Sequence, residues 1–261
     1  MSAATARGAA LPLLLLAGWQ LGAMAGLTDA RLLPPPAAVL SQAWHSLGDA
    51  ALPSALAASL ARCLTGFALG AAAGLLLGLL LGLSSTAGRL IGPSFHAFKN
   101  VAVFAWIPLI AMWFGFGEVA RIAFVTLAVV TPVTLNAWEG VAATPRPLLE
   151  VGAALRFTWP QRLLRIRLPA ALPSILTGLQ LGLIHAWLAT VGAEYFLAKG
   201  TGLGGLLIEG RDRFDMALVI IGIVLLSGIG VALNGALQQV AARLTPWRTT
   251  PAEQTQDGGS A

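Results

Sequence analysis

Charge is scarce in this 261-residue sequence: Asp, Glu, Lys and Arg make up 10% of it, against 57% hydrophobic residues. A soluble domain of this length could not cover its surface with so few charges, so the composition excludes one and points to a lipid bilayer. The mean hydropathy of +0.79 agrees. Cysteine is almost missing as well. Cys63 stands alone in an apolar run, which rules out an intrachain disulfide and leaves the redox compartment unspecified. The chain has no GxxxxGK[ST] phosphate loop, no HExxH pair and no GxSxG elbow. No catalytic residue, metal ligand set or cofactor is therefore expected. Gly200 to Gly205 formally satisfies GxGxxG, but it follows an apolar helix instead of a strand, which removes the dinucleotide reading.

What the chain does have is long uncharged intervals. They run from Arg7 to Asp29, Arg62 to Arg89, Lys99 to Glu118, Arg121 to Glu139, Arg167 to Glu194 and Asp215 to Arg243. About 20 apolar residues cross a hydrocarbon core of ~30 Å, with a lower limit near 17. The predicted fold is therefore an all-α polytopic membrane protein with about six transmembrane helices. Pro108 and Pro132 would kink the third and fourth, and only Glu118 to Arg121 separates those two, so five or seven spans also fit. Arg7, the run Leu11 to Ala17 and Ala23-Met24-Ala25 also resemble a cleavable secretory signal. An uncleaved first helix is expected, because removal would leave five spans. Residues 1–246 read as one transmembrane domain, and 247–261 as a polar, disordered tail.

Lys and Arg are enriched in cytoplasmic loops, which orients the chain. With the N-terminus inside, ten cations (Arg7, Arg89, Lys99, Arg146, Arg156, Arg162, Arg165, Arg167, Arg243, Arg248) lie inside. Six (Arg31, Arg62, Arg121, Lys199, Arg211, Arg213) lie outside. Both termini and the segment 144–173 are then cytoplasmic. Topology accounts for the net charge of +5, so nucleic acid is not an expected partner.

Glycine recurs at every fourth position from Gly66 to Gly82, giving the second span a smooth face for close helix packing, expected within one subunit. Leu32 to Ala38, with Pro34, Pro35 and Pro36, cannot be a regular helix interior and reads as an extended external connector. The insert 144–173 is basic and helix-patterned. Thr144 is predicted to cap a first helix that starts at Pro145 and runs to about Phe157. Thr158 and Gln161 have the spacing of a capping box for a second, with Pro160 in its first turn and Pro169 at its end. Two short helices along the membrane face form either a rigid platform for a soluble partner or an interfacial loop held by anionic lipid.

Glu150, then Leu168-Pro169, Ala170, Ala171, Leu172, Pro173 and Gly178, resemble the cytoplasmic EAA loop of permease subunits in binding-protein-dependent ATP-binding-cassette (ABC) importers. Ala105-Trp106-Ile107-Pro108-Leu109 and Trp113-Phe114-Gly115-Phe116-Gly117-Glu118 resemble the AWIPL and WFGxGE signature of the nitrate, sulfonate, taurine and bicarbonate branch. Ser59-Leu60 with Arg62 and Gly66, Asn136, Ala193-Glu194, Gly202-Leu203-Gly204, Leu207-Ile208 with Arg211 and Phe214, and Gly222-Ile223 match as well. The resemblance implies a type I importer permease fold in a bacterial inner membrane. It also implies a second permease subunit, two cytoplasmic ATPase subunits and an external binding protein. Leu149, Glu150, Val151, Gly152, Ala153, Ala154 and Arg156 would then form the ATPase interface. Val151 and Gly152 stand where the motif has alanines, and Arg156 where it has a glycine that could make a left-handed turn. The first helix is accordingly expected to run on through Arg156; the alternative is that Arg156 pairs with an acid on a co-adapted ATPase, a weaker reading given the small worth of exposed pairs. Asn136, His185 and Glu194 are candidate intramembrane polar residues, for the pathway or for structure, with Glu194 read as a hydrogen-bond anchor. The rival reading is an ion-coupled secondary transporter without an ATPase, for which one intramembrane carboxylate and no internal repeat are poor equipment.

Overall fold

The computed structural model describes residues 3–27, 29, 32–48, 50–197 and 200–245. Arg31, Asp49, Lys199 and the tail 246–261 lie outside the described residues. The described elements are helical. In chain order they are α1 (Ala3–Met24), α2 (Pro36–Leu47), α3 (Ala51–Leu83), α4 (Ser85–Lys99), a 3₁₀ turn (Val103–Trp106), α5 (Ile107–Phe114), α6 (Glu118–Ala142) and α7 (Arg146–Ala154). There follow α8 (Trp159–Arg162), a π-helical stretch (Leu163–Arg167), α9 (Leu168–Phe196), α10 (Leu203–Asp212) and α11 (Met216–Leu244).

Four described helical segments are long and apolar enough to cross a bilayer: α3, α6, α11, and the unbroken run from Trp159 to Phe196. The predicted third span is different. It is a pair of helices, Ser85–Lys99 and Val103–Phe114, bent by 93° at their junction. The break falls where Ala102 takes φ −58 and ψ 130, a polyproline-like conformation, and Pro108 starts α5 instead of kinking a longer helix. Pro132 sits inside α6, which continues past it to Ala142. The apolar part of α1, Ala10–Met24, is shorter than a full span.

Glycine spacing sets the core. A Cβ on Gly66, Gly70, Gly74 or Gly82 would lie 2.5–2.9 Å from side-chain atoms of Val125, Val129, Val133 and Val141, and one on Gly78 would lie 2.7 Å from Ala137 Cβ. Every partner is 59 residues further along the chain, so α3 and α6 run parallel with one constant register. The expected packing of this stripe within one subunit is what the structure has. Dispersion replaces the missing hydrophobic drive, and Phe124, Val125, Val129 and Val133 are fully buried at the contact.

A parallel pair requires the intervening chain to return across the membrane, which makes the bent α4–α5 pair a crossing. α9 then packs antiparallel to α6, with Gly140 facing Ser174 and Gly182 facing Val133. Trp187 Nε1 donates to Leu226 O at 2.9 Å and ties α11 to α9. The bundle has two ends. One bears the insert, Leu83, Val141 and the end of α11; the distal end gathers the starts of α3 and α6, the end of α9, and α10.

Candidate functional site

The insert differs from expectation in three places. Thr144 does not cap α7: its Oγ1 donates back to Val141 O at 2.8 Å and closes α6, and Pro145 is the residue before α7. α7 stops at Ala154 instead of running to Phe157. Arg156 takes φ 52, a left-handed conformation, and the chain turns there. Phe157 N donates to Gly152 O at 2.9 Å and Arg156 N to Ala153 O at 3.0 Å, the two bonds of a Schellman cap. Arginine therefore occupies the glycine geometry, at a cost of about 1 kcal/mol. The turn is reinforced by Arg162 Nε donating to Phe157 O at 3.0 Å and by Arg165, whose guanidinium lies 5.7 Å from the Phe157 ring centroid.

The Thr158 box is present, with Thr158 N donating to Gln161 Oε1 at 2.8 Å. Pro169 does not end the second helix. The chain passes through the π-helical stretch directly into α9, with Pro169 in the first turn of α9. Leu168 N donates to Leu163 O, and this wider turn carries the helix up to a proline that could not donate an α-helical bond. Instead of two short helices, the insert is one short helix, a locked turn, and the foot of the 38-residue run from Trp159 to Phe196.

Of the seven residues expected at the ATPase interface, Glu150, Val151, Ala153, Ala154 and Arg156 are exposed. Leu149 and Gly152 turn inward. A Cβ on Gly152 would lie 2.5 Å from Ile166 Cδ1, so the glycine lets α7 lie close against the π-helical stretch that leads into α9. Leu149 lines a crevice with Leu83, Trp159, Arg162, Leu163 and Arg167.

At the distal end four segments meet in an ion network in which Arg62, Arg121 and Glu194 are buried and Glu118 is exposed. Glu194 is 2% exposed, and its carboxylate accepts from Ser59 Oγ at 2.6 Å, from Gly204 N at 2.7 Å and from Arg62 Nη1. Arg62 also donates through Nε and Nη2 to both oxygens of Glu118, at 2.8 and 2.6 Å, and Arg121 Nη1 donates to Glu118 at 2.8 Å. Leu203 N donates to Ser59 Oγ at 2.9 Å. A Cβ on Gly202 would lie 2.5 Å from Glu194 Cδ, so glycine is needed for the loop to close over the carboxylate.

Arg62 and Arg121 were expected in loops and are buried on helices, each 3% exposed. Their pairing was missed because each reads as the end of an uncharged interval. The available signal was Ser59-x-x-Arg62 and Glu194 as the polar exceptions in apolar runs. Asn136 packs at the α6–α9 contact, donating from Nδ2 to Pro132 O at 2.8 Å, while its carbonyl accepts from Ser174 Oγ at 2.8 Å. His185 is exposed, with Nδ1 donating to Leu181 O at 2.7 Å. Among the described residues no group of His, Cys, Asp and Glu could hold a metal ion.

The parallel α3–α6 pair, the bent return crossing and the helical insert define a polytopic membrane protein. Residues 70–246 match the family described as binding-protein-dependent transport system inner membrane component. SsuC of Bacillus subtilis (strain 168), named for aliphatic sulfonate transport, is 32% identical over 94% of this chain and 88% of its own. The taurine transport system permease protein TauC of Escherichia coli (strain K12) is 33% identical over 89% and 86%. The inward-facing MetNI methionine ABC transporter superposes with a TM-score of 0.62 at 19% identity, covering 72% of this chain and 93% of that one, which shows the fold. The chain belongs to the binding-protein-dependent permease family: it is a multi-pass inner-membrane translocation subunit of an ABC importer, a class that works with ATPase and binding-protein partners.

Proposed function

We propose that this subunit pairs with a second copy of itself and two cytoplasmic ATPase subunits to import a small anion of the sulfonate or nitrate class. The solute is delivered to the distal end by an external binding protein. ATP hydrolysis belongs to the ATPase subunits, and α7 seats on them. The carrying observation is mechanical continuity. The exposed face of α7 is locked through the Arg156 turn to a helix that runs unbroken from Trp159 to Phe196. A rigid helix of 38 residues is ~57 Å long, so a push at α7 is conveyed along α9 to Glu194 and the distal network.

The anion class is supported by the names of the relatives, which include the nitrate import permease protein NrtB of Leptolyngbya laminosa alongside SsuC and TauC. Charge supports the orientation. With Arg62, Arg121 and Lys99 assigned to helices within the bundle, the described loop and helix-end cations from α3 onward are seven on the insert side (Arg89, Arg146, Arg156, Arg162, Arg165, Arg167 and Arg243) and two on the distal side (Arg211 and Arg213). The insert and the end of α11 are then cytoplasmic, and a crossing by α1 would put the N-terminus on the same side. Reconstitution tests the reading: uptake of ethanesulfonate into proteoliposomes should require the ATPase, ATP on the insert side and the binding protein. Uptake with the permease alone would instead indicate an ion-coupled carrier.

A further inference from the structure

The break between α4 and the 3₁₀ turn lies at mid-depth. It borders a cavity of about 390 Å³ lined by Phe98, Lys99, Asn100, Thr131, Pro132 and His185, among others. Thr131 is 13 residues after the start of α6 and 11 before its end, so the cavity sits near the middle of that crossing. Lys99 was counted from sequence as an inside-loop cation, yet it stands here. It makes no ion pair among the described residues, and no Asp or Glu lines the cavity. A cation at this depth is tolerated only where it faces water, protein dipoles or an anion. His185 bonds its own helix through Nδ1, which leaves Nε2 for a partner beyond it, and Asn100 and Thr131 bring further polar groups. The volume suits a small solute. Irregular backbone at mid-membrane is found where it is buried in protein or lines a cavity.

We infer that this break is an anion-binding station on the translocation path, with Lys99 supplying the attracting charge and Asn100, Thr131 and His185 the hydrogen-bonding groups. The inference rests on the anion-importer reading above and assigns its selectivity to named residues. Lys99 also lies in the last turn of α4, where a cation complements the helix carbonyls. A purely helix-end role is the competing outcome.

The test uses the full complex in proteoliposomes with Cys63→Ala and His185→Cys in the permease. Two thiol reagents of similar size are compared: the anionic 2-sulfonatoethyl methanethiosulfonate and its cationic trimethylammonium counterpart. The expected result is modification by both, with the anionic reagent favoured by about tenfold, the preference lost in Lys99→Met and kept in Lys99→Arg. Lys99→Gln carries the same comparison should Lys99→Met not assemble. No modification in any nucleotide state, or a preference unchanged by removal of the charge, overturns the station and leaves Lys99 a helix-end charge. ATP-driven ethanesulfonate uptake separates the two levels. Modification preference without uptake by the unaltered complex contradicts the sulfonate reading and supports the station, whereas equal uptake by wild type and Lys99→Met contradicts the station.

Discussion

Arg62 on α3 and Glu194 on α9, 132 residues apart in sequence, form an ion pair in which both side chains are 2% exposed. Burial of two charges is offset here because each has further partners: Glu118 and Thr201 O for the arginine, Ser59 and Gly204 N for the glutamate. Four motifs that resemble the importer family thereby meet at one point. Removing one member leaves the other buried and unpaired. Arg62→Met is expected to destabilise the protein by about 3–5 kcal/mol, and Arg62→Met with Glu194→Gln by less than Arg62→Met alone. Thermal unfolding of the detergent-purified variants reads the order.

The parallel α3–α6 contact has no room for a methyl group. At Gly70 a Cβ would lie 2.7 Å from Thr126 O, a backbone atom that cannot rotate away. Gly70→Ala should lower stability by about 1–3 kcal/mol. Gly228→Ala, on α11 with nothing within 4 Å of the added atom, should be neutral or slightly stabilising. The same unfolding assay compares them.

Arg156 holds a left-handed conformation at φ 52 that glycine adopts freely. Arg156→Gly is expected to raise stability by about 1 kcal/mol and to leave ATP-driven uptake intact. Uptake lost on this substitution, with the protein still assembled, would mean that the arginine itself contacts the ATPase.

Gly152 lets α7 rest on Ile166. Gly152→Leu would lever the helix off its support while leaving the membrane helices packed. Expected are normal membrane levels and retained ATPase binding, with uptake reduced by tenfold or more, measured in the same proteoliposomes.

Local, repetitive features were readable from sequence. The glycine repeat named the close-packed face, and Thr158 with Gln161 named a helix start, because each depends on neighbours a few residues away. Thr144 was misread because its hydroxyl had two nearby uses, and the carbonyl of Val141 took it. Pro169 was read as a stop because a widened π turn leaves no mark in the sequence. Arg62 and Lys99 were assigned to loops because charges bracket apolar runs. Only tertiary pairing over 132 residues for one, and a bend of 93° beside the other, puts them inside the bundle. Leu149 and Gly152 were grouped with the docking face by motif, which specifies order along α7 but not which side of the helix turns outward.

The seat of α7 on the ATPase is tested most directly by cross-linking. With Cys63→Ala and Ala153→Cys in the permease and single cysteines placed along the ATPase surface, α7 should cross-link to one groove in high yield, and the yield should change when ATP binds. An assembled, transport-active complex with no cross-link from Ala153→Cys at any ATPase position would contradict the docking of α7.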